Sequence, residues 1–165
     1  MATLSLQAMK VNQPGNRRHY PEAATQTYIA GEPVYLDAGN KRITICGGDP
    51  ATIMGISAEV ASGVTSSSEP VYLADNENTF IANVYTDGTG AANAANALLL
   101  TDVGVDYDVI KVGVNWHIDK NAAGAKCVRI LDRYPVSTEF GDFYGQAIFS
   151  FLNDVRQLYP GERTA

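Results

Sequence analysis

What this chain lacks narrows its chemistry first. Histidine and cysteine each occur twice, as His19, His117, Cys46 and Cys127. A nucleophilic triad needs a Ser or Cys, a His and an orienting acid brought together. His19 lies in a turn-rich N-terminal stretch, and His117 sits beside Trp116 in a strand-like run, as expected of a neutral side chain that is packed or exposed. There is no GxSxG elbow and no two-histidine zinc motif. The cysteines form no CxxC or Cys/His spacing, and both fall in apolar runs, so buried free thiols are expected, with a disulfide between them left open. The Gly-rich stretch Asp87-Gly88-Thr89-Gly90 lacks the GK[ST] ending of a phosphate loop. Two acidic groups offer oxygen ligands: Asp75-Asn76-Glu77-Asn78, and Asp102 with Asp106 and Asp108. Neither completes a calcium-loop pattern, so solvated turn carboxylates are expected. No catalytic residue, metal or cofactor is assigned, and the chain reads as a non-enzyme.

Positive charge and long apolar runs are scarce too. Lys and Arg number 12 against 18 Asp and Glu, for a net charge of −6. The sequence pI is near 4.8. A duplex-binding domain usually carries a net basic face, so no direct nucleic-acid partner is expected. No stretch approaches the ~20 apolar residues of a membrane span. The opening MATLSLQAMKV has no basic region followed by a long apolar core, so no signal peptide is read there. The expectation is a soluble protein made in a reducing cytoplasm, with no membrane partner.

What is present is β-structure. Glu32-Pro33-Val34-Tyr35-Leu36 returns as Glu69-Pro70-Val71-Tyr72-Leu73. A polar turn and a second apolar run follow each copy: Ile43-Thr44-Ile45 after the first, Phe80-Ile81-Ala82 after the second. Both copies read as β-hairpins, with Pro33 and Pro70 at strand starts, where a missing N–H does little harm. Ile53 to Val60 reads as a strand whose Gly55 marks a bulge or close backbone approach. Tyr107 to Val114 is a further strand, and Trp116 to Asp119 forms a hairpin with Lys126 to Leu131. Residues 87–97 are low-complexity, a loop or, from Ala91 to Leu100, a short helix. Gln146 to Leu152 alternates and reads as strand; a helix running on to Leu158 competes, because Phe151, Leu152, Val155 and Leu158 also fit a helical stripe.

The predicted fold is mainly β: a single β-barrel or β-sandwich, jelly-roll-like, over residues 29–165. Residues 1–28 read as an extended N-terminal arm with little local structure, containing the turn cluster Asn12 to Asn16 and the basic, aromatic stretch Arg17 to Pro21. Removing the arm is expected to leave the β-body folded.

The run Gly31-Glu32-Pro33-Val34-Tyr35-Leu36-Asp37, then Lys41-Arg42-Ile43, then Ile53-Met54-Gly55-Ile56-Ser57-Ala58 has a recognisable cadence. Val105 to Asp108, Trp116 to Asp119 and Val128 to Leu131 continue it. Over roughly residues 29–152 the chain resembles the decoration, or cement, proteins of tailed-bacteriophage capsids. It departs from the simplest pattern in its N-terminal arm and Ala/Asn-rich insertion.

That resemblance implies a homotrimer at three-fold and quasi-three-fold positions on the outer surface of the virion head. The major capsid protein is the implied partner, and the role is to reinforce the shell. Under it, Arg17 and Arg18 pair with capsid carboxylates, Tyr20 and Tyr28 fill shallow capsid pockets, and Phe140, Phe143 and Tyr144 pack between subunits. Other readings are a tail, baseplate or head-fibre component, a carbohydrate-binding β-sandwich that stacks Trp116 and tyrosines on sugar rings, and a trimeric nucleotide hydrolase.

Overall fold

The computed structural model describes residues 7–48, 50–85, 96–121 and 124–158. They form two antiparallel sheets. The first has six strands in the order β1-β7-β11-β10-β8-β9, and the second has five in the order β2-β6-β5-β3-β4. The strands are β1 Lys10–Gln13, β2 Arg17–Pro21, β3 Pro33–Leu36, β4 Ile43–Ile45, β5 Gly55–Ser57, β6 Ser68–Leu73, β7 Thr79–Asn83, β8 Asp106–Val112, β9 Asn115–Asp119, β10 Val128–Arg133 and β11 Gln146–Phe151. In the six-stranded sheet Val84 bridges to Ile118, but among the described residues no ladder closes it into a barrel.

The two copies of the repeated phrase meet different fates. The first makes the expected hairpin, with Val34 opposite Ile45 and Leu36 opposite Ile43. Its turn is held by Asp37, whose Oδ1 accepts the N–H groups of Gly39 and Asn40, both at 2.9 Å. The second copy does not form a hairpin. β6 pairs with β2 and β5 in one sheet, while β7 pairs with β1 and β11 in the other. The sequences differ at the turn: Asp37 follows Leu36 directly, whereas Ala74 separates Leu73 from Asp75. Asp75 makes the same kind of turn, accepting from Glu77 N and Asn78 N. The extra residue turns the chain away, and Ala74 N donates to the Met54 carbonyl instead.

β1 and β2 pass between the sheets at the same place. β1 lies on β7 and β2 lies on β6, so two chain segments bend together around one corner. Asn78, 1% exposed, holds that corner. Its Oδ1 accepts the Gly15 N–H, and its Nδ2 donates to the carbonyls of Asn16 (2.8 Å) and Leu73 (2.9 Å). Gly15 is required by space: a Cβ there would lie 2.8 Å from the Glu77 Cβ.

These pairings tie the expected extended arm into the body. Residues 10–21 supply one strand to each sheet, and Tyr28 is fully buried beneath them. The arm impression came from Pro14, Gly15 and the basic run, which mark a sheet-switching turn and an edge strand.

Other differences are local. The predicted hairpin of Trp116–Asp119 with Lys126–Leu131 is absent; β9 pairs with β8 across the two-residue turn Gly113-Val114, and β10 pairs with β8 and β11. Gly113 has φ +61°, which suits glycine at a tight turn. The strand expected over Ile53–Val60 is reduced to Gly55–Ser57, and there the close approach expected at Gly55 is found: a Cβ would sit 2.1 Å from the Tyr72 carbonyl oxygen. Pro33 opens β3 as expected, but β6 begins at Ser68, two residues before Pro70. β11 is a strand to Phe151, and a 3-10 turn over Asn153–Val155 replaces the competing helix. Most of the 87–97 stretch lies outside the described residues.

The main core joins the sheets, with Phe80, Phe149 and Phe151 packed at ring-centroid distances of 5.3–5.8 Å beside Trp116, Ile118, Ile130, Ile53 and Ile56. A second cluster of Tyr28, Val34, Ile43, Met54, Val71 and Leu73 lies within the five-stranded sheet.

Replacing Asn78 by Ala strands two carbonyls and one N–H at the corner, and each buried unsatisfied group costs about 1–3 kcal/mol. Urea unfolding of Asn78→Ala is expected to show a loss of roughly 2–4 kcal/mol. Deleting residues 1–28 removes two strands and Tyr28, so the truncated chain is expected to lose its cooperative unfolding transition; a retained transition at the full-length midpoint would contradict the corner's role.

Candidate binding surface

The buried acids are consumed by the fold. Glu22, fully buried, accepts from Ser62 N (2.8 Å), Ser62 Oγ (3.0 Å) and Gly63 N (2.7 Å), and so pins the 62–66 loop. Glu32 pairs with Lys111 and accepts from Ile29 N and Trp116 Nε1. Asp102 accepts from Lys120 Nζ (2.7 Å), Tyr107 Oη (2.7 Å) and Leu99 N (2.8 Å). Asp106 takes a two-pronged contact from Arg129, and the Asp108 carboxylate accepts from Val109 N and Cys127 Sγ. The carboxylates inspected as calcium ligands thus hold turns and neighbouring strands. Among the described residues no group of three or more His, Cys, Asp or Glu side chains is placed to hold a metal.

His117 has no catalytic setting. It is fully buried, neither ring nitrogen has a hydrogen-bond partner among the described residues, and the Tyr85 ring lies 5.5 Å away. Burial pushes its pKa down to about 4. An imidazole with no acid to orient it and no nucleophile beside it is a packed side chain. Cys46 and Cys127 are buried thiols with no disulfide between them, and burial pushes the Cys46 thiol up to about 12. Trp116 is fully buried, so it offers no platform for a sugar ring.

The surface carries the more informative features. β2 is the outer strand of its sheet. Arg17 pairs with Glu59 at 3.1 Å and lies over the Tyr72 ring, 5.8 Å from its centroid. Arg18 is exposed, and its side chain makes no ion pair or hydrogen bond among the described residues. With Asn16, half-buried Tyr20, Leu73, Ala74, Asp75 and Leu158 it lines a cleft of about 410 Å³. Burial raises the Tyr20 pKa above its ordinary value, and the Arg18 guanidinium opposes that rise, which places cation and phenol within electrostatic reach. Gln157 holds the far wall by exchanging hydrogen bonds with the backbone of Leu36. The structure therefore brings Arg18 and Tyr20 together and leaves Arg17 on the opposite side of β2.

Tyr28 is a correction. It was expected to fill a pocket on a partner, but it is fully buried among Val34, Ile43, Met54 and Val71, its hydroxyl 3.5 Å from Glu22. Burial and the nearby Glu22 and Glu69 push its pKa up.

Phe140, Phe143 and Tyr144 are half-buried in the segment between β10 and β11. Phe140 packs on the main core with the Arg133 guanidinium 5.9 Å above its ring, Phe143 bridges to Ala97, and Tyr144 stacks on Tyr85 at 5.7 Å. The larger apolar exposure lies elsewhere. Leu99, Leu100, Val103 and Val105 (Leu100 67% exposed) follow one turn that is hydrogen-bonded to Ile130, next to exposed Leu131. The sequence signal for it was the Leu98-Leu99-Leu100 run, only the first of which is buried.

The chain matches no protein-family model, no curated protein and no solved structure.

Tyr28→Phe loses only a long hydrogen bond and is expected to cost under about 1 kcal/mol, whereas Tyr28→Ala empties a core site and is expected to cost about 3–5 kcal/mol by chemical denaturation. His117 takes up its proton less readily folded than unfolded, so the unfolded state gains protons first as pH falls. Its contribution is a loss of stability from about 6.5 down through about 4, and His117→Leu is expected to flatten the pH slope of the unfolding free energy across that window. An unchanged slope would show that His117 is not held neutral.

Proposed function

We propose that this protein is a structural virion component, a decoration protein that binds the outer surface of a tailed-phage head and reinforces it as a trimer at three-fold and quasi-three-fold positions. Its partner on this reading is the major capsid protein. The observation that carries the proposal is a division of labour within the chain. The described buried acids serve loops and turns, while apolar side chains stand exposed from Leu99 to Val105 and at Leu131. A surface of that kind suits contact with another protein. The sequence cadence over residues 29–152 supports the same reading, and two antiparallel sheets suit the β-rich fold of the proteins it resembles.

Many identical sites on a shell let modest affinity per contact add up to a stable lattice. An acidic chain of net charge −6 remains soluble at the copy number such a role requires. Phe140, Phe143 and Tyr144 remain the proposed contacts between subunits, through the half-exposed parts of their rings.

Co-sedimentation with phage heads lacking the protein, before and after expansion, tests this. Saturable binding near one copy per capsid subunit is expected, and absence of binding to either form of the head would overturn the proposal. Leu100→Asp is expected to weaken head binding at least tenfold, with a stability change within about 0.5 kcal/mol, because an exposed turn residue contributes little to folding.

A further inference from the structure

The hydrogen bonds around β2 fix the direction in which its backbone groups point. Leu73 N donates to Asn16 O at 3.0 Å, and Glu22 N donates to Ser67 O at 2.8 Å. Both pairs fit the ladder that sets Arg17 opposite Tyr72 and Tyr20 opposite Glu69. Hydrogen-bonded pairs alternate along an antiparallel ladder. Asn16, Arg18, Tyr20 and Glu22 therefore direct their backbone groups at β6. Arg17 and His19 direct theirs away, toward the open edge, and none of these groups is bonded among the described residues. Pro21, the last residue of β2, brings no N–H to that edge, and just past it the chain meets β4, where Glu22 bridges Ile43 and Ala23 N donates to the Ile43 carbonyl at 3.0 Å, so the edge is open over Arg17–His19. The open edge thus offers two N–H groups and two carbonyls in a row, next to the cleft of Arg18, Tyr20 and Leu158.

We infer that the β2 edge is a docking site for an extended acidic segment of a partner protein, which adds as a strand beside Arg17–His19 and places a carboxylate-bearing side chain against Arg18 and Tyr20 in the cleft. Charge selects this occupant. A chain of net charge −6 concentrates Arg17 and Arg18 on one edge strand, and the Arg18 guanidinium has no acid of its own. The one carboxylate in the cleft, Asp75, is engaged by Asn16 Nδ2, Glu77 N and Asn78 N. A second copy of the chain is a poor occupant, because pairing β2 with β2 sets Arg17 and Arg18 against the same cations. Leu73, Ala74 and Leu158 supply apolar wall for the stem of a glutamate or for a neighbouring aliphatic side chain. Strand addition gives affinity through the main chain and specificity through alternate side chains.

The inference does not require the partner to be a capsid protein, so it stands or falls apart from the head-binding experiment. The probe is a ten-residue synthetic peptide alternating valine and glutamate, with a valine–lysine peptide as control, titrated into the full chain by fluorescence anisotropy at low and at physiological salt. The glutamate peptide is expected to bind saturably and the lysine peptide not to bind. Arg18→Glu is expected to weaken binding at least tenfold. His19→Pro removes an outward N–H, which an edge strand tolerates, and is expected to weaken binding several-fold with an unchanged melting temperature. Amide exchange at Arg17 and His19 is expected to slow when the peptide binds, a readout that a purely ionic contact would not move. Absent binding, equal binding of the two peptides, full binding by either variant, or unprotected amides at Arg17 and His19 would each overturn the inference. Should either variant fail to fold, the amide-exchange measurement on the unaltered chain decides alone.

Discussion

The fold turns on a single buried side chain amide at a corner. Asn78 satisfies two carbonyls and one N–H where the β1–β2 and β6–β7 connections pass together from one sheet to the other. A chain that changes sheets breaks its ladder and leaves backbone groups without partners in a buried place, and burying such groups unpaired is costly. Asparagine supplies donor and acceptor in one short side chain, so it can close a gap that strand pairing cannot. The ladders on either side start from it: β2 runs against β6 in one unbroken register, and β1 runs against β7 with a single shift between Val11 and Gln13.

The same logic organises the interior acids. Glu22, Glu32 and Asp102 each collect donors from a loop and, in two cases, a lysine. A buried carboxylate is tolerable when its lone pairs are filled, and it then fixes the donors that fill it. The result is a body whose loops are anchored from inside. His117, buried with no partner, follows the same pattern from the opposite side: it remains where packing holds it neutral.

The contacts proposed for this protein lie on the outside of the molecule. An edge strand with free backbone groups invites unwanted pairing, and charge and proline are the usual protections. β2 carries both, in Arg17, Arg18 and Pro21. On the docking inferred for this edge, the features that discourage self-pairing also favour an acidic strand. The exposed apolar turn from Leu99 to Val105 is a separate surface, chemically suited to a flatter protein contact.

The sequence by itself determined that this chain is mainly β, where most strands lie, that Gly55 meets a close backbone approach, and that no familiar catalytic motif is present. Alternation, turn residues and steric need are local properties, readable within a few residues. Arg18 and Tyr20 stood out in the sequence because a basic, aromatic stretch is unusual in an acidic chain, and the structure sets both along one cleft. Partner choice was decided only by the tertiary structure. Two copies of one phrase read alike, yet one residue, Ala74, sends the second into a different sheet from the strand that follows it. Tyr28 read as available and is buried, since nothing near it in sequence shows that Val34, Ile43 and Val71 close over it. A strand's pattern says which face is apolar, but its neighbour is settled by hydrogen bonds and packing across many residues of chain. Those reach agreement only when both sheets and their shared corner form together.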